Sequence, residues 1–374
     1  MPLKLGMVGG GQGAFIGGLH RIAARLDGQW SLVAGSLSSD PARAAISAAE
    51  LGIAPDRSYA DFAQMASAEA ARSDGIDAVA IVTPNHLHAP VATAFLRAGI
   101  PVICDKPMTR TAEEAEVLAA LVTRTGVPFI LTQTYTGYPM VREAQAIVHE
   151  GAIGRIRHVQ VEYLQDWLVD AIEKAGQKQA LWRTDPELSG EGGCISDIGT
   201  HALNLACFVT GLTPSEVLAD LTSFGPGRRL DDNAAVLLRF HEGAKGMIWS
   251  SQITPGAKNA LRMRVVGETG GLEWDQEHPE ELAMNITGEP TRILRRSGDR
   301  VNTRSRTPAG HPEGYLEAFA TLYADAAQAV RAYRNGNGVD LQGVLPGAVD
   351  GLIGMRFVSA CVRSSRTGGR WTSL

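Results

Sequence analysis

The chain has 374 residues, 44% of them hydrophobic and 20% charged, and 35 basic against 40 acidic residues give a net charge of -5. That composition is too apolar for disorder, and its mild, spread negative charge argues against a nucleic-acid-binding surface. The length exceeds the roughly 100–200 residues that one core serves, and no apolar run reaches the roughly 20 residues of a membrane span.

Two domains and no membrane partner are therefore expected. The opening MPLKLGMVGG lacks the apolar region and cleavage site of an export signal. Cys104, Cys194, Cys207 and Cys361 form no C-x-x-C pair, so neither a disulfide framework nor a zinc site is indicated. No metal is expected, and a reducing cytoplasm is the expected location.

Residues 3–8 form a first apolar strand, and 15–26 place Ile16, Leu19, Ile22, Ala23 and Leu26 at helical spacing. Residues 32–37 are a second strand. An Ala-rich helix follows over 41–51, with Asp40 as the cap before its first-turn proline. Strands over 78–82, 102–104 and 129–132 are separated by helices over 90–98 and 113–123. Such strand–helix units predict a parallel sheet with helices on both faces.

The pattern changes after residue 135. A helix over 141–150 ends at Gly151, and in 155–163 Ile156, His158, Gln160 and Glu162 alternate with Arg157, Val159, Val161 and Tyr163. A helix over 197–210 precedes strands over 216–224, 234–240, 245–253, 261–266, 272–274 and 281–286. Few helices interrupt these strands, so the sheet should be largely antiparallel. The basic, polar stretch 291–308 reads as a loop, and helices are predicted over 315–331 and 344–364.

Strand one runs into Gly9-Gly10-Gly11-Gln12-Gly13-Ala14-Phe15-Ile16-Gly17, where Gly9, Gly11 and Ala14 fit G-x-G-x-x-G/A between a strand and a helix. Backbone amides at a helix N-terminus reach a pyrophosphate only where side chains do not obstruct them. Any α/β protein can carry a glycine-rich turn, but the position at the first strand–helix turn favours dinucleotide binding. Gly9, Gly11, Gln12, Ala14, Phe15 and Ile16 are then the contacts. Gly17 and His20 resemble the end of the usual signature, which predicts a loop enlarged around residues 13–16.

About 20 positions further on, an NAD site carries an acid for the ribose hydroxyls. Here Ala34-Gly35-Ser36-Leu37-Ser38-Ser39-Asp40 has no carboxylate before Asp40, which is expected to cap the next helix. Ser38, Ser39 and Arg43 can instead receive a 2′-phosphate, which tilts the expectation within NAD(P) toward NADP. Arg43 also fits a solvated helix residue.

The strand over 102–104 ends in Asp105-Lys106-Pro107, and ligand sites of parallel sheets lie beyond the carboxyl ends of strands. Lys106 is thus a candidate for the cofactor cleft, although a lysine before a proline also suits a surface turn. Thr83, Pro84, Asn85 and His88 would line the same edge, and Asn85 and His88 equally suit helix capping. Asp197 and His201 are four apart, so on a helix they share one face, where a carboxylate orients an imidazole and holds its charge. A buried structural histidine with a salt-bridged partner accounts for the same pair. As metal ligands, two residues without a third make a poor site.

The run Gly9 to His20, Thr83-Pro84-Asn85, the run Ala98-Gly99 to Asp105-Lys106-Pro107, and Gly192-Gly193 with Asp197-x-x-x-His201 together resemble one family. In order and spacing they are similar to the glucose–fructose oxidoreductase/inositol dehydrogenase (Gfo/Idh/MocA) family, over nearly the whole chain. The resemblance implies an α/β fold: an N-terminal Rossmann parallel sheet over 1–135, then a C-terminal α/β domain over 136–374 with a large, mainly antiparallel open sheet. The family usually has Glu where Asp105 stands. Cys194 after the glycine pair is a milder change. The family's frequent Arg after the sixth strand is replaced by Thr134-Tyr135-Thr136-Gly137-Tyr138-Pro139.

The resemblance also implies Lys106, Asp197 and His201 as the catalytic group, with NAD(P) as cofactor. Oxidising a secondary alcohol requires loss of a hydride from carbon and a proton from oxygen; His201 suits the proton and Lys106 the developing alkoxide charge. The division of roles between His201 and Lys106 stays open. The implied substrate is a small polyol: a sugar, anhydrosugar, glycoside or inositol. Tyr163, Gln165, Asp166, Trp167, Trp182 and Arg183 are its candidate contacts, with His311 and Tyr315 behind them. Trp167 and Trp182 read equally as core aromatics, and Arg183 as a surface ion pair.

Two other functions fit the resemblance. An NAD-dependent glycoside hydrolase would retain its reduced cofactor through turnover. A non-catalytic dinucleotide-sensing regulator would not need Lys106, Asp197 and His201 together. An open sheet face needs covering, and family members commonly pair these faces, so a homodimer or homotetramer is expected.

Overall fold

The computed structural model describes residues 1–298 and 304–374. They form two compact units: Met1–Thr134 with Leu316–Leu352, and Tyr135–Tyr315 with Ile353–Leu374. In the first unit, β1 (Leu3–Gly9), β2 (Trp30–Ser36), β3 (Ala78–Val82), β4 (Val102–Cys104) and β5 (Phe129–Leu131) make one sheet. Its order is β2-β1-β3-β4-β5, and every neighbouring pair is parallel. The side chains of β3, β4 and β5 are buried throughout, as a sheet covered on both faces requires.

Side chains cap most of the accompanying helices. Asp40 accepts the Arg43 amide ahead of Pro41–Glu50, Asp61 caps Phe62–Ala71, and Thr111 caps Ala112–Thr125. Helix Phe62–Ala71 lies outside the elements expected from periodicity. Its small Ala and Ser side chains blur the apolar stripe, and Asp61 is the signal that marks it.

Residues 316–352 rejoin the first unit and so divide the span 136–374 that was expected as one domain. The helix Tyr315–Arg334 supplies the reason. Tyr323 is fully buried, its hydroxyl 2.8 Å from His20 Nδ1, and its main-chain oxygen accepts from Trp30 Nε1 at 2.8 Å. Arg334 pairs with Asp77, and the Leu131 amide donates to the Pro346 carbonyl at 2.9 Å, beside β5.

The second unit is built on β6 (Ile156–Leu164), β7 (Pro214–Thr222), β8 (Asn233–Phe240), β9 (Lys245–Ser251), β10 (Ala260–Gly267), β11 (Gly270–Asp275), β12 (Glu281–Ile286), β13 (Arg292–Arg295) and β14 (Thr372–Ser373). The order is β13-β12-β11-β10-β6-β9-β8-β7-β14, antiparallel except for the parallel pair β6–β9. One face buries Val159, Val161 and Tyr163 of β6 with Met263 and Val265 of β10, near the apolar helix Thr200–Thr210. The other face carries Leu237, Trp249, Val266 and Ile293 at 36–49% exposure.

The stretch 291–308, expected as a loop, contains the edge strand β13. Arg295 there pairs with Glu281 of β12 at 2.9 Å, a cross-strand partner that composition alone does not reveal. Residues 299–303 of that stretch lie outside the described residues. Helices Lys178–Arg183 and Pro186–Ser189 and strand β14 are too short to show a period. Among the described residues, no helix is long and apolar enough to cross a membrane.

Removing the Tyr323 hydroxyl would leave the fully buried His20 Nδ1 without its partner. An orphaned group of this kind costs about 1–3 kcal/mol. Tyr323→Phe should lower the Tm by about 2–10 °C with secondary structure retained. An unchanged Tm would show that this bond does not stabilise the return of the long helix.

Candidate active site

In the first unit, β2 lies on one side of β1 and β3 on the other, so sheet order reverses between β1 and β3. The crevice beyond the carboxyl ends at such a reversal is where parallel α/β sheets bind ligands. The glycine run fills the end of β1. Gly9 and Gly10 have φ of 81° and 74°, and a Cβ on Gly17 would stand 2.5 Å from Gly10 Cα. Only glycine lets the helix Phe15–Leu26 press this closely on the loop. That helix has no side-chain cap at Ala14 and no acidic residue in its first turn, so its leading amides keep their partial positive charge.

The other members of the run are placed as follows. Phe15 is 70% exposed at the start of the helix. The Gln12 amide donates to Ser47 Oγ at 3.1 Å and its side chain to Glu50 Oε1 at 2.7 Å, so Gln12 tethers the loop to the helix Pro41–Glu50. Arg21 Nη1 donates to the Gly10 carbonyl at 2.7 Å. Beyond β2, Ser38 Oγ accepts the Asp40 amide at 3.1 Å, and Asp40 Oδ1 accepts the Arg43 amide at 3.0 Å. Ser39, Asp40 and Arg43 are exposed.

The turns after β3 and β4 are tied together. His88 is 1% exposed, with Nδ1 2.7 Å from the Pro107 carbonyl and Nε2 2.9 Å from the Thr83 carbonyl. Burial pushes its pKa down, and a neutral ring donates to one of these carbonyls at a time. His88, an expected cofactor contact, has both ring nitrogens on the two turns. Asp105, another expected cofactor contact, is bonded within its own turn. Its Oδ1 accepts the Lys106 amide at 2.9 Å and the Thr132 hydroxyl at 3.2 Å, with His20 Nε2 at 3.9 Å, a charge-pair distance too long for a hydrogen bond. Burial pushes the Asp105 pKa up, but His20 and Lys106 outweigh it and hold the carboxyl below the usual range. Asp105 therefore stays ionised and shapes the turn that carries Lys106. Thr83 Oγ1 is buried with no hydrogen-bond partner, and Asn85 is buried beside it in sequence.

In the second unit, Asp197 lies in a π-helical turn, Ile195–Gly199, and His201 in the α-helix Thr200–Thr210 that continues from it. The expected run of α-helix is thus widened at Asp197, a distortion found mostly at functional sites. Asp197 Oδ2 accepts from Gln252 Nε2 at 2.8 Å and pairs with Arg183 Nε at 3.5 Å. His201 is 8% exposed and meets the Tyr135 ring edge-on at 4.9 Å, with Tyr163 at 6.2 Å.

A chain of side chains joins these residues. Gln252 Nε2 lies 3.5 Å from Gln165 Oε1, which also accepts from Trp167 Nε1 at 3.0 Å. Gln165 Nε2 donates to Asn259 Oδ1 at 2.9 Å, which the Tyr163 hydroxyl reaches at 2.8 Å. Asn259 Nδ2 donates to the Tyr135 hydroxyl at 3.1 Å, and the Tyr135 and Tyr163 hydroxyls bond to each other. Burial pushes both tyrosines' pKa values up, so both hydroxyls stay protonated.

The expected substrate contacts divide accordingly. Tyr163, Gln165 and Trp167 join this chain, and Arg183, stacked over Trp182 at 4.1 Å, joins it through Asp197. Asp166 pairs with the exposed Lys258 at 2.8 Å. Tyr315 lies 6.4 Å from Tyr135, whereas the backbone of His311 is held in its own loop by Arg296 at 2.6 Å. Tyr135, Gln252 and Asn259 were missed in the sequence. For Gln252 the available signal is a run of polar residues, Ser250-Ser251-Gln252, at the end of a strand; Tyr135 and Asn259 carry none of this kind.

Residues 3–133 match an oxidoreductase family with an NAD-binding Rossmann fold, and residues 141–273 match the GFO/IDH/MocA C-terminal domain. An oxidoreductase from Sinorhizobium meliloti is 50% identical, with a TM-score of 0.89 over 99% of both chains. An inositol dehydrogenase homolog from Azotobacter vinelandii, solved with NADH and myo-inositol, is 35% identical, with a TM-score of 0.92 over 100% of this chain and 98% of its own. A levoglucosan dehydrogenase solved with NADH and levoglucosan is 26% identical, with a TM-score of 0.84 over 100% and 99%. The glycine loop at the β1/β3 reversal, the Lys106 turn and the His201 helix thus stand in a chain that belongs to the Gfo/Idh/MocA family of NAD(P)-binding oxidoreductases.

Proposed function

We propose that this protein is a dehydrogenase or reductase acting between NAD(P) and a secondary alcohol or ketone of a cyclic polyol: an inositol, a pyranose, an anhydrosugar or a glycoside. The observation that carries this reading is His201 packed on Tyr135 within a connected chain of side-chain donors and acceptors reaching Asp197. Such a lining suits a molecule covered in hydroxyls. The A. vinelandii relative solved with myo-inositol and the relative solved with levoglucosan support the same class.

The first unit fits a dinucleotide on its own features: the Gly10–Gly17 contact, the uncapped helix, exposed Phe15 and the orphaned Thr83 hydroxyl. Gly9, Gly11, Ala14, Phe15 and Ile16 would hold its pyrophosphate, and the turns at Thr83-Pro84-Asn85 and Asp105-Lys106 would line its nicotinamide. When bound, the nicotinamide supplies the hydride chemistry. In oxidation, His201 accepts the hydroxyl proton through an imidazole nitrogen. Asp197, held by Gln252 and Arg183, stands one helical turn before that histidine. Lys106, on the turn shaped by Asp105, donates to the reacting oxygen and steadies its growing negative charge. In reduction the same groups act in reverse.

A panel of sugars and cyclitols, including myo-inositol and levoglucosan, offered with NAD and with NADP, should release free reduced nicotinamide for at least one member. Lys106→Ala should lower that turnover about 10²-fold or more while cofactor binding changes little. His201→Ala should remove an ionisation from the pH profile of oxidation and leave the Tm near wild type. No turnover across the panel, or near-normal turnover in both variants, contradicts the reading.

The end of β2 supports acceptance of NADP. Ser38, Ser39 and Arg43 offer donors for a 2′-phosphate, and the Asp40 carboxylate is partly offset by the helix amide it accepts. A charge-assisted bond is worth about 1.5–3 kcal/mol, so one contact sets a preference of roughly tenfold or more. Arg43→Ala should weaken NADP and spare NAD, and Ser38→Asp should shift preference toward NAD. Tight NAD binding with negligible NADP binding in the wild type would overturn this assignment.

The exposed apolar side chains Leu237, Trp249, Val266 and Ile293 on this sheet face support its pairing with a second copy, giving a homodimer or homotetramer. Sedimentation that finds only monomer at micromolar concentration would contradict it.

A further inference from the structure

The segment that carries Asp197 and His201 begins without a side-chain cap of its own at Cys194. Its leading amides are received instead by one residue from the connection between β7 and β8. Asp231 Oδ1 accepts the Gly193 amide at 2.6 Å, its main-chain oxygen accepts the Cys194 amide at 2.8 Å, and its Oδ2 accepts the Ile195 amide at 2.8 Å. The Cys194 thiol donates to the same Oδ2 at 3.1 Å. The contact is close enough to dictate sequence: a Cβ on Gly193 would stand 2.0 Å from the Asp231 main-chain oxygen. Three consecutive amides therefore end on one aspartate, the last of them at the first residue of the turn that places Asp197.

Asp231 is itself held. Asp232 accepts the Phe224 amide at 2.9 Å, the Gly225 amide at 2.8 Å and Arg228 Nη1 at 3.0 Å. Arg228 in turn makes a two-pronged pair with Glu173 at 3.0 and 3.2 Å. The Asp232 main-chain oxygen takes the amide of Gln252 at 2.9 Å, and the Gln252 side chain holds Asp197. The two adjacent aspartates thus reach Asp197 from both sides, one through the segment before it and one through its hydrogen-bond partner.

We propose that Asp231 is a positioning residue for the reaction, a cap supplied from another element that fixes the placement of Asp197 and His201. The inference rests on the dehydrogenase reading of His201. Neutral amide donors gain most from an ionised acceptor, and a displacement of a reacting group by about 1 Å can cost about 10²-fold in rate. In Asp231→Asn, one carboxylate oxygen becomes an NH₂ group that faces a backbone N–H. One amide of the segment loses its acceptor while the side chain keeps its size.

The test compares wild type, Asp231→Asn and His201→Ala in NADH binding, turnover of myo-inositol and levoglucosan, the isotope effect with C-deuterated myo-inositol, and hydrogen exchange of the peptide 193–205. Asp231→Asn should bind NADH within about twofold of wild type, because the cofactor features lie on the other unit. Turnover per folded molecule should fall about tenfold to a hundredfold, with a raised isotope effect as hydride transfer becomes limiting. Exchange should rise in 193–205 and not across β8 to β10. Merely structural damage would lower the amount of active protein and leave turnover per folded molecule and isotope effect unchanged; that result overturns the proposal. If Asp231→Asn does not fold, Asp231→Glu, with the carboxylate displaced by one methylene, is read the same way. Full activity in His201→Ala would reject the dehydrogenase reading instead. Should neither alcohol be turned over, the exchange measurement decides: unchanged protection of 193–205 overturns the assignment of Asp231.

Discussion

Gly10 and Gly17 meet backbone against backbone, and what the first unit does with its sheet edge follows from that contact. A Cβ on Gly17 would overlap Gly10 Cα, so the helix Phe15–Leu26 can start this close to β1 only with glycine at both positions. Once it starts there, its leading amides lie at the β1/β3 reversal with no side chain to receive them. Partial positive charge from aligned peptides then collects at the place where an anionic ligand is bound. Arg21, bonded to the Gly10 carbonyl, pins the loop in this position.

At the same edge, several residues of the motifs are tethers within the protein. Gln12, His88 and Asp105 were all expected to contact the cofactor, and each is committed to another part of the protein. His88 spans the turns after β3 and β4, and Asp105 accepts the amide of the lysine beside it. These commitments leave Lys106 on a turn with fixed backbone. The proposed role of Lys106, stabilising charge in a transition state, would benefit from such prior organisation. In the second unit the organisation is polar and buried. Groups such as Tyr135, Tyr163, Asn259 and Gln252 are costly to bury alone and are joined to one another, which holds His201 and Asp197 in one arrangement.

Much of this was legible in the residues. The parallel sheet followed from apolar runs at β3 to β5, and the second sheet from alternation as clear as that of β6. Asp40 as a helix cap followed from the proline after it. The glycine turn, the Lys106 turn and the pair Asp197 and His201 stand out in the sequence because they are short local motifs, and the structure gives each a defined local conformation. What escaped was long-range. The return of residues 316–352 to the first unit depends on Tyr323 meeting His20 and Trp30, some 300 positions away. Asn259, Gln252 and Asp231 reach the His201 segment from other strands and loops, and no local period marks them. The π-turn at Asp197 was read as α-helix because a spacing of four looks alike in both until the hydrogen bonds are seen.

The central claim is that this chain moves a hydride directly between a polyol carbon and the nicotinamide and releases both products. Its most direct test uses an accepted alcohol deuterated on its carbinol carbons, with the nicotinamide product examined by NMR. The account predicts free reduced cofactor carrying one deuterium at C4 of the ring. Reduced cofactor without deuterium at C4, or loss of substrate deuterium to water with no reduced cofactor released, would contradict it.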